Sequence, residues 1–138
     1  MELTQALSFV AERKNGVLTT QKRDGRPQLS NITYAVGDDG IIRISVTADR
    51  AKYANLVRDP RASLHVSRED FWAYVVIDAD VELSAVAADP HDAAADELVA
   101  LYRAVAGEHA DWDDYRAAMV RDRRVVVRLR PAHAYGML

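Results

Sequence analysis

Apolar positions along this chain change their period several times, and each change marks an element. Leu3, Leu7 and Val10 recur at helical spacing, which predicts a short amphipathic helix ended by Asn15-Gly16, residues that tolerate positive φ. From Val17 the period drops to two. Residues 17–21 read as a strand, Asp24-Gly25 as the centre of a type I′ hairpin turn, and residues 28–36 as a second strand with Pro27 at its start. Gly37-Asp38-Asp39-Gly40 predicts another turn. Ile42, Ile44 and Val46 then define one face of a third strand over 41–47, in a meander with the first two. A short helix is expected over 49–57, capped by Thr47 or Asp49 and stopped by Asp59-Pro60. Strands follow at 61–66 and 71–77, with 81–83 continuing the sheet.

The late part of the chain returns to the helical period. Asp89 as cap and Pro90 as first helical residue open a helix with Ala94, Leu98, Leu101 and Val105 as its stripe, and Gly107 stops it. A second helix over 111–121 carries Trp112, Tyr115 and Met119 near one face, and 124–129 is a last strand before a polar tail. Strands first, a helical insertion at about 90–122, then a closing strand predict one domain over 1–138. Its class is mainly β, an antiparallel barrel of six or seven strands with peripheral helices, closed so that few edges stay exposed.

Composition narrows the partners. A length of 138 residues suits one domain, and a net charge of −3 argues against nucleic acid and against an anionic membrane. The chain has no cysteine, which removes disulfides and thiolate chemistry. No stretch approaches the roughly 20 apolar residues of a membrane span. Glu2, Thr4 and Gln5 stand where a secretory signal needs a basic start and an apolar run, so a cytoplasmic location is expected. Lysine occurs only at 14, 22 and 52, and with the many arginines, alanines and valines this indicates a GC-rich genome.

Hydrolase, nucleotide and dinucleotide signatures (GxSxG, the Walker loop, GxGxxG) are missing. His65, His91, His109 and His133 are scattered without helical partners, so no metal site is expected, and Asp111, Asp113 and Asp114 suit a helix start. Three features remain. Arg50 and Lys52 fall in the first turn of the 49–57 helix, where cations oppose the helix dipole at a cost of roughly 0.3–1 kcal/mol each. Either they reach water or pair with Asp49, or they join the free N–H groups of that turn in a phosphate trap. In Arg26-Pro27-Gln28-Leu29-Ser30-Asn31, the side chains of Gln28, Ser30 and, with a kink, Asn31 line one face. That face is either solvated or able to hydrogen-bond a planar heterocycle. Phe71-Trp72-Ala73-Tyr74 is either core and interface, or the wall of a ring-binding slot.

Those residues carry a resemblance. The strings 25–31 (GRPQLSN), 50–52 (RAK), 55–56 (NL) and 58–63 (RDPRAS), with 101–103, 107–109, 111–116 and the ending 133–136, resemble the pyridoxamine 5'-phosphate oxidase-like superfamily over nearly the whole chain. Within it, they are most similar to the actinobacterial coenzyme F420-dependent group, the B group of flavin/deazaflavin oxidoreductases. The resemblance implies a split β-barrel homodimer with coenzyme F420, or FMN as the alternative, at the subunit interface. Arg50 and Lys52 would hold the cofactor phosphate, with the backbone of Ser45, Val46 and Thr47. Pro27, Gln28, Ser30 and Asn31 would line the ring, Trp72 would come from the other subunit, and Lys22 and Arg26 would meet the acidic tail. The implied reaction is hydride transfer to a conjugated, electron-poor small molecule. A non-catalytic cofactor carrier is the competing class. No catalytic side chain is assigned, and neither the substrate nor the proton donor is identified.

Overall fold

The computed structural model describes residues 1–138. Eleven elements follow one another: α1 (Leu3–Ala11), β1 (Asn15–Gln21), β2 (Pro27–Thr33), β3 (Ala35–Val36), β4 (Ile42–Thr47), α2 (Ala51–Arg58), β5 (Arg61–Ser67), β6 (Tyr74–Leu83), α3 (Ala93–Ala106), α4 (Trp112–Arg121) and β7 (Arg124–Met137). The seven strands form one antiparallel sheet in the order β2-β1-β5-β6-β7-β4-β3. Its two edge strands, β2 and β3, are consecutive in the chain. The sheet therefore curls into a half-barrel, the mainly β antiparallel architecture that the strand pattern predicts, in the split form that the resemblance implies.

Tyr34 makes the corner between those edges. It interrupts the single strand expected over 28–36, turns inward to 1% exposure, and donates its hydroxyl to the carbonyl of Val10 at 2.6 Å. That bond ties α1 to the barrel mouth. Burial pushes the phenol up from its ordinary value. Tyr34→Phe removes this bond while the Arg13 N–H still serves the Val10 carbonyl, so a loss of about 1 kcal/mol is expected in urea unfolding.

The barrel core gathers 19 buried side chains, among them Leu18, Ile32, Ile44, Leu64, Ile77 and Leu129. Strand alternation sends the opposite residues outward. On β7 both faces are covered: Val125 and Val127 enter the barrel, while Val126 packs under α3 and α4 with Ala94, Leu98 and Met119. A strand covered on both sides is apolar at successive positions, which accounts for the run Val125-Val126-Val127.

Several boundaries differ from expectation, each for a local reason. α1 ends at Ala11, and Asn15-Gly16 opens β1 instead of closing the helix. A Cβ on Gly16 would stand 2.8 Å from the His65 carbonyl oxygen, so glycine serves the close approach of β1 to β5. The first hairpin turns over Lys22–Gly25, with Gly25 N–H donating to the Lys22 carbonyl and Gly25 alone of the Asp24-Gly25 pair at positive φ. The 41–47 segment does not extend a meander: β4 pairs with β7 and β3. α3 starts at Ala93, capped by Asp92, whose carboxylate accepts the Ala95 N–H at 2.8 Å, and Pro90 stays in the turn before it. Tyr74, not Phe71, opens β6, and the expected tail after 129 is strand to Met137. No helix is long and apolar enough to cross a membrane.

Candidate functional site

β4 ends beside the start of α2, and the turn between them sets the electrostatics. Thr47 donates its hydroxyl to the Asp49 carboxylate at 2.5 Å. Asp49 is thereby drawn away from the helix, and neither it nor Thr47 caps α2. The N-cap is Arg50, which makes no side-chain cap bond. The amides of Ala51 and Lys52 have no acceptor in the chain. Arg50 reaches solvent and its charge helps hold the Asp49 carboxyl down without a salt bridge between them, whereas Lys52 is half-buried and points to Ser30.

Three cations meet at this corner. The Lys52 ammonium lies below its ordinary pKa, first through burial and then through the charges of Arg50 and Arg124. None of the three is in a salt bridge, although twelve such contacts occur elsewhere. Arg124 sits opposite Thr47 in the β4–β7 register, and its Nη1 reaches Ser45 only at 3.4 and 3.5 Å. Its buried Nε has no partner. An orphaned buried donor beside two unpaired cations and two free amides leaves several hydrogen-bond donors here without an acceptor, chemistry that suits an anion.

The anion corner opens into a cavity of about 460 Å³, a size usual for small-molecule sites. Asn31, Ser45, Lys52 and Arg124 supply its polar side, while Leu101, Tyr102, Tyr115 and Met119 from the helical insertion supply the apolar side. Tyr115 is fixed by donating to the Leu98 carbonyl at 3.0 Å, and burial pushes its phenol up. Tyr102, His109, Trp112 and Tyr115 form one aromatic cluster with ring centroids 4.9–5.7 Å apart. The insertion is fastened to the barrel through Glu97. Its carboxylate accepts from Arg43 at 3.0 Å and from two nitrogens of Arg128 at 2.8 and 2.5 Å.

The residues singled out from the sequence separate into three groups. Ser30, Asn31, Ser45 and Lys52 gather at the corner; Lys52 Nζ lies 3.4 Å from Ser30 Oγ, and Arg50 is joined to them through its charge on Lys52. Gln28 and Ser30 share the half-buried face of β2, but β2 pairs with β1 in unbroken register, so no kink brings Asn31 to that face. The Val46 side chain is in the core, and beyond Arg43 the second edge of β4 has no neighbouring strand, so Ser45–Thr47 can contribute main chain there. Pro27, Lys22 and Arg26 are exposed around the β1–β2 hairpin and do not line the cavity. Trp72 is 79% exposed and does not line it either; the preceding Phe71, 84% exposed, is held at φ 70°. Arg124 went unrecognised in the sequence, where it reads only as the first residue of a strand. Its role depends on the pairing of β4 with β7, which no local pattern encodes.

A curled antiparallel half-barrel of seven strands with four helices is the split-barrel architecture of the pyridoxamine 5'-phosphate oxidase-like proteins. The chain belongs to the pyridoxamine 5'-phosphate oxidase family, whose model matches residues 3–138. Among solved structures it is similar to the conserved hypothetical protein Rv2991 from Mycobacterium tuberculosis, with 24% identity, 99% of this chain and 84% of that one covered, and a TM-score of 0.76. An F420 reductase matches at 25% identity over 93% of this chain and 94% of its own, with a TM-score of 0.69. A heme binding protein from Mycobacterium smegmatis matches at 24% identity and a TM-score of 0.68, and this chain spans 53% of its length. Solved structures with this fold thus include both an F420 reductase and a heme binding protein.

Proposed function

We propose that this chain is an oxidoreductase subunit that binds a phosphate-bearing flavin-type cofactor, with coenzyme F420 as the first candidate and FMN as the alternative. The observation that carries the reading is the uncompensated cation corner of Arg50, Lys52 and Arg124. Three cations with no salt-bridge partner repel one another, and solvent, the nearby Asp49 or an anionic ligand must offset that repulsion. The residues fit a phosphate: Lys52 and Arg124 would hold its oxygens, with the open amides of α2 behind them. The similarity to an F420 reductase favours the deazaflavin over FMN.

When bound, a reduced deazaflavin supplies a hydride at its C5 carbon, so the chain need supply no nucleophile of its own. What the protein contributes is placement. Lys52 and Arg124 anchor the phosphate end, Gln28 and Ser30 present polar groups along β2, and the insertion residues Tyr102, Tyr115 and Met119 exclude water from the cavity. The acceptor would be a conjugated, electron-poor small molecule.

A homodimer completes the proposal. Leu29, Phe71, Trp72, Tyr135 and Met137 are large, apolar and exposed. Covering them with a second copy would remove that surface from water and bring Trp72 to a partner's site. Titration of the protein with oxidised coenzyme F420 and, in parallel, with FMN tests the reading, with sedimentation of the same samples. Tight binding of the deazaflavin by a dimer is expected. Preference for FMN moves the protein to the flavin branch, and binding of neither overturns the oxidoreductase assignment. A monomer withdraws the role of Trp72.

A further inference from the structure

Only two polar side chains are buried in this domain, Thr20 at 1% and Asn55 at 7% exposure, and they touch each other. They are the middle of a hydrogen-bonded row whose direction is fixed from one end. Arg58, in the last turn of α2, can only donate. Its Nη2 donates to the Asn55 Oδ1 at 3.0 Å and to the Gln21 carbonyl at 2.6 Å. With its oxygen so engaged, Asn55 turns Nδ2 to Thr20 and donates across 3.1 Å. Thr20, having accepted there, gives its single proton to Gln28 Oε1, also at 3.1 Å. Turning the Gln28 amide over would leave the buried Thr20 proton without an acceptor, so the row runs in one direction from Arg58.

The consequence falls on Gln28. Its oxygen is committed to Thr20, so its amide nitrogen must be the group left to present. The one acceptor Nε2 finds in the chain is the Leu29 carbonyl, at a long 3.3 Å, and its second proton has none. Gln28 shares its face of β2 with Ser30, and Ser30 touches Lys52. We infer that Arg58, Asn55 and Thr20 are positioning residues that fix Gln28 as a hydrogen-bond donor, so that the half-buried face of β2 beside Lys52 selects a planar ligand presenting a carbonyl oxygen or similar acceptor at that point. The inference rests on the cofactor reading given above and specifies the side of the ligand that this strand recognises. It also explains why two polar residues are kept inside an otherwise apolar barrel.

The test is a double-mutant cycle on binding, using whichever of oxidised coenzyme F420 or FMN the unmodified protein takes. Gln28→Leu and Arg58→Met should each weaken binding by about tenfold, the value of one neutral hydrogen bond. The double variant should bind no worse than Gln28→Leu, since Arg58 acts only through Gln28, and Arg58→Lys should restore binding. Thr20→Val, equal in shape, breaks the row at a second point and should match Arg58→Met. Arg58 is exposed, and Arg58→Lys keeps a donor at the end of the row, so recovered binding in that variant separates positioning from any loss of stability in Arg58→Met. Multiplying losses in the double variant, or normal binding by Arg58→Met, overturns the positioning role while the cofactor assignment stands. Binding of neither ligand by the unmodified protein overturns the cofactor assignment, and the ligand role of Gln28 with it.

Discussion

Lys52→Ala and Arg124→Ala should each reduce cofactor affinity by about a hundredfold, because each removes a charge-assisted contact worth roughly 1.5–3 kcal/mol. The informative part is the opposite movement of stability. In the ligand-free protein these cations repel one another, and the repulsion together with burial lowers the Lys52 pKa. Taking one away should leave the thermal midpoint unchanged or raise it. A residue kept for folding would show the reverse, with the midpoint falling and binding changed only as far as the protein unfolds. The pH dependence has a definite sign. A lysine depressed in the folded state destabilises that state while it is charged. Stability of the empty protein should therefore rise as pH climbs through the folded pKa of Lys52 toward the ordinary value of about 10.4. Ligand affinity should fall over the same range, and the Lys52→Ala protein should lose both trends.

Glu97→Ala should loosen the helical insertion and lower stability by about 2–3 kcal/mol, somewhat less than the roughly 3–5 of a fully buried pair, since a fifth of the carboxylate side chain is exposed. The change strands Arg43 and Arg128 against the barrel with only Asp39 and Glu82 as counter-charges. Faster hydrogen exchange should concentrate in α3 and α4 and spare β1, β5 and β6. Acid should reproduce it. Glu97 is held below the ordinary carboxylate range, first by its bonds to Arg128 and then by Arg43, and Arg43 holds Asp39 down to about 2. Depressed carboxylates stabilise above their unfolded values, near about 4, and that contribution is lost as pH falls through the folded ones. Below pH 4 the insertion should open before the barrel unfolds, and Glu97→Ala should flatten that acid limb.

How much of this was written locally can be judged from particular residues. Ile42, Ile44 and Val46 alternate, and the strand is there. Ala94, Leu98 and Leu101 repeat at helical spacing, and all three are buried under α3. The anion corner was half legible, because Arg50 and Lys52 break a local rule about charge at helix starts and draw notice for that reason. Asn55 and Thr20 were not, since a buried polar pair is recognisable only once α2 is laid against β1. The same holds for the partner of the 41–47 strand. The short β3 just before it supplies one neighbour over two residues, while its main partner comes from beyond residue 123. Alternation says which side of a strand faces the core, and nothing about which strand lies beside it.

The place of β7 in the sheet bears on how the protein is made. It lies between β6 and β4, pairing with β4 over 124–129 and with β6 over 127–137. Until those residues leave the ribosome, β2-β1-β5-β6 and β4-β3 share no strand, and each carries an open edge with apolar side chains beside it. Ile42 then waits for Leu129 across most of the chain. Closure by such distant pairing is slow, in the millisecond-to-second range typical of all-β topologies, roughly. The nascent chain therefore passes through a stage in which two sticky half-sheets are held apart only by the polypeptide between them, and it is at this stage that chaperones or a second copy of the chain would most readily intervene.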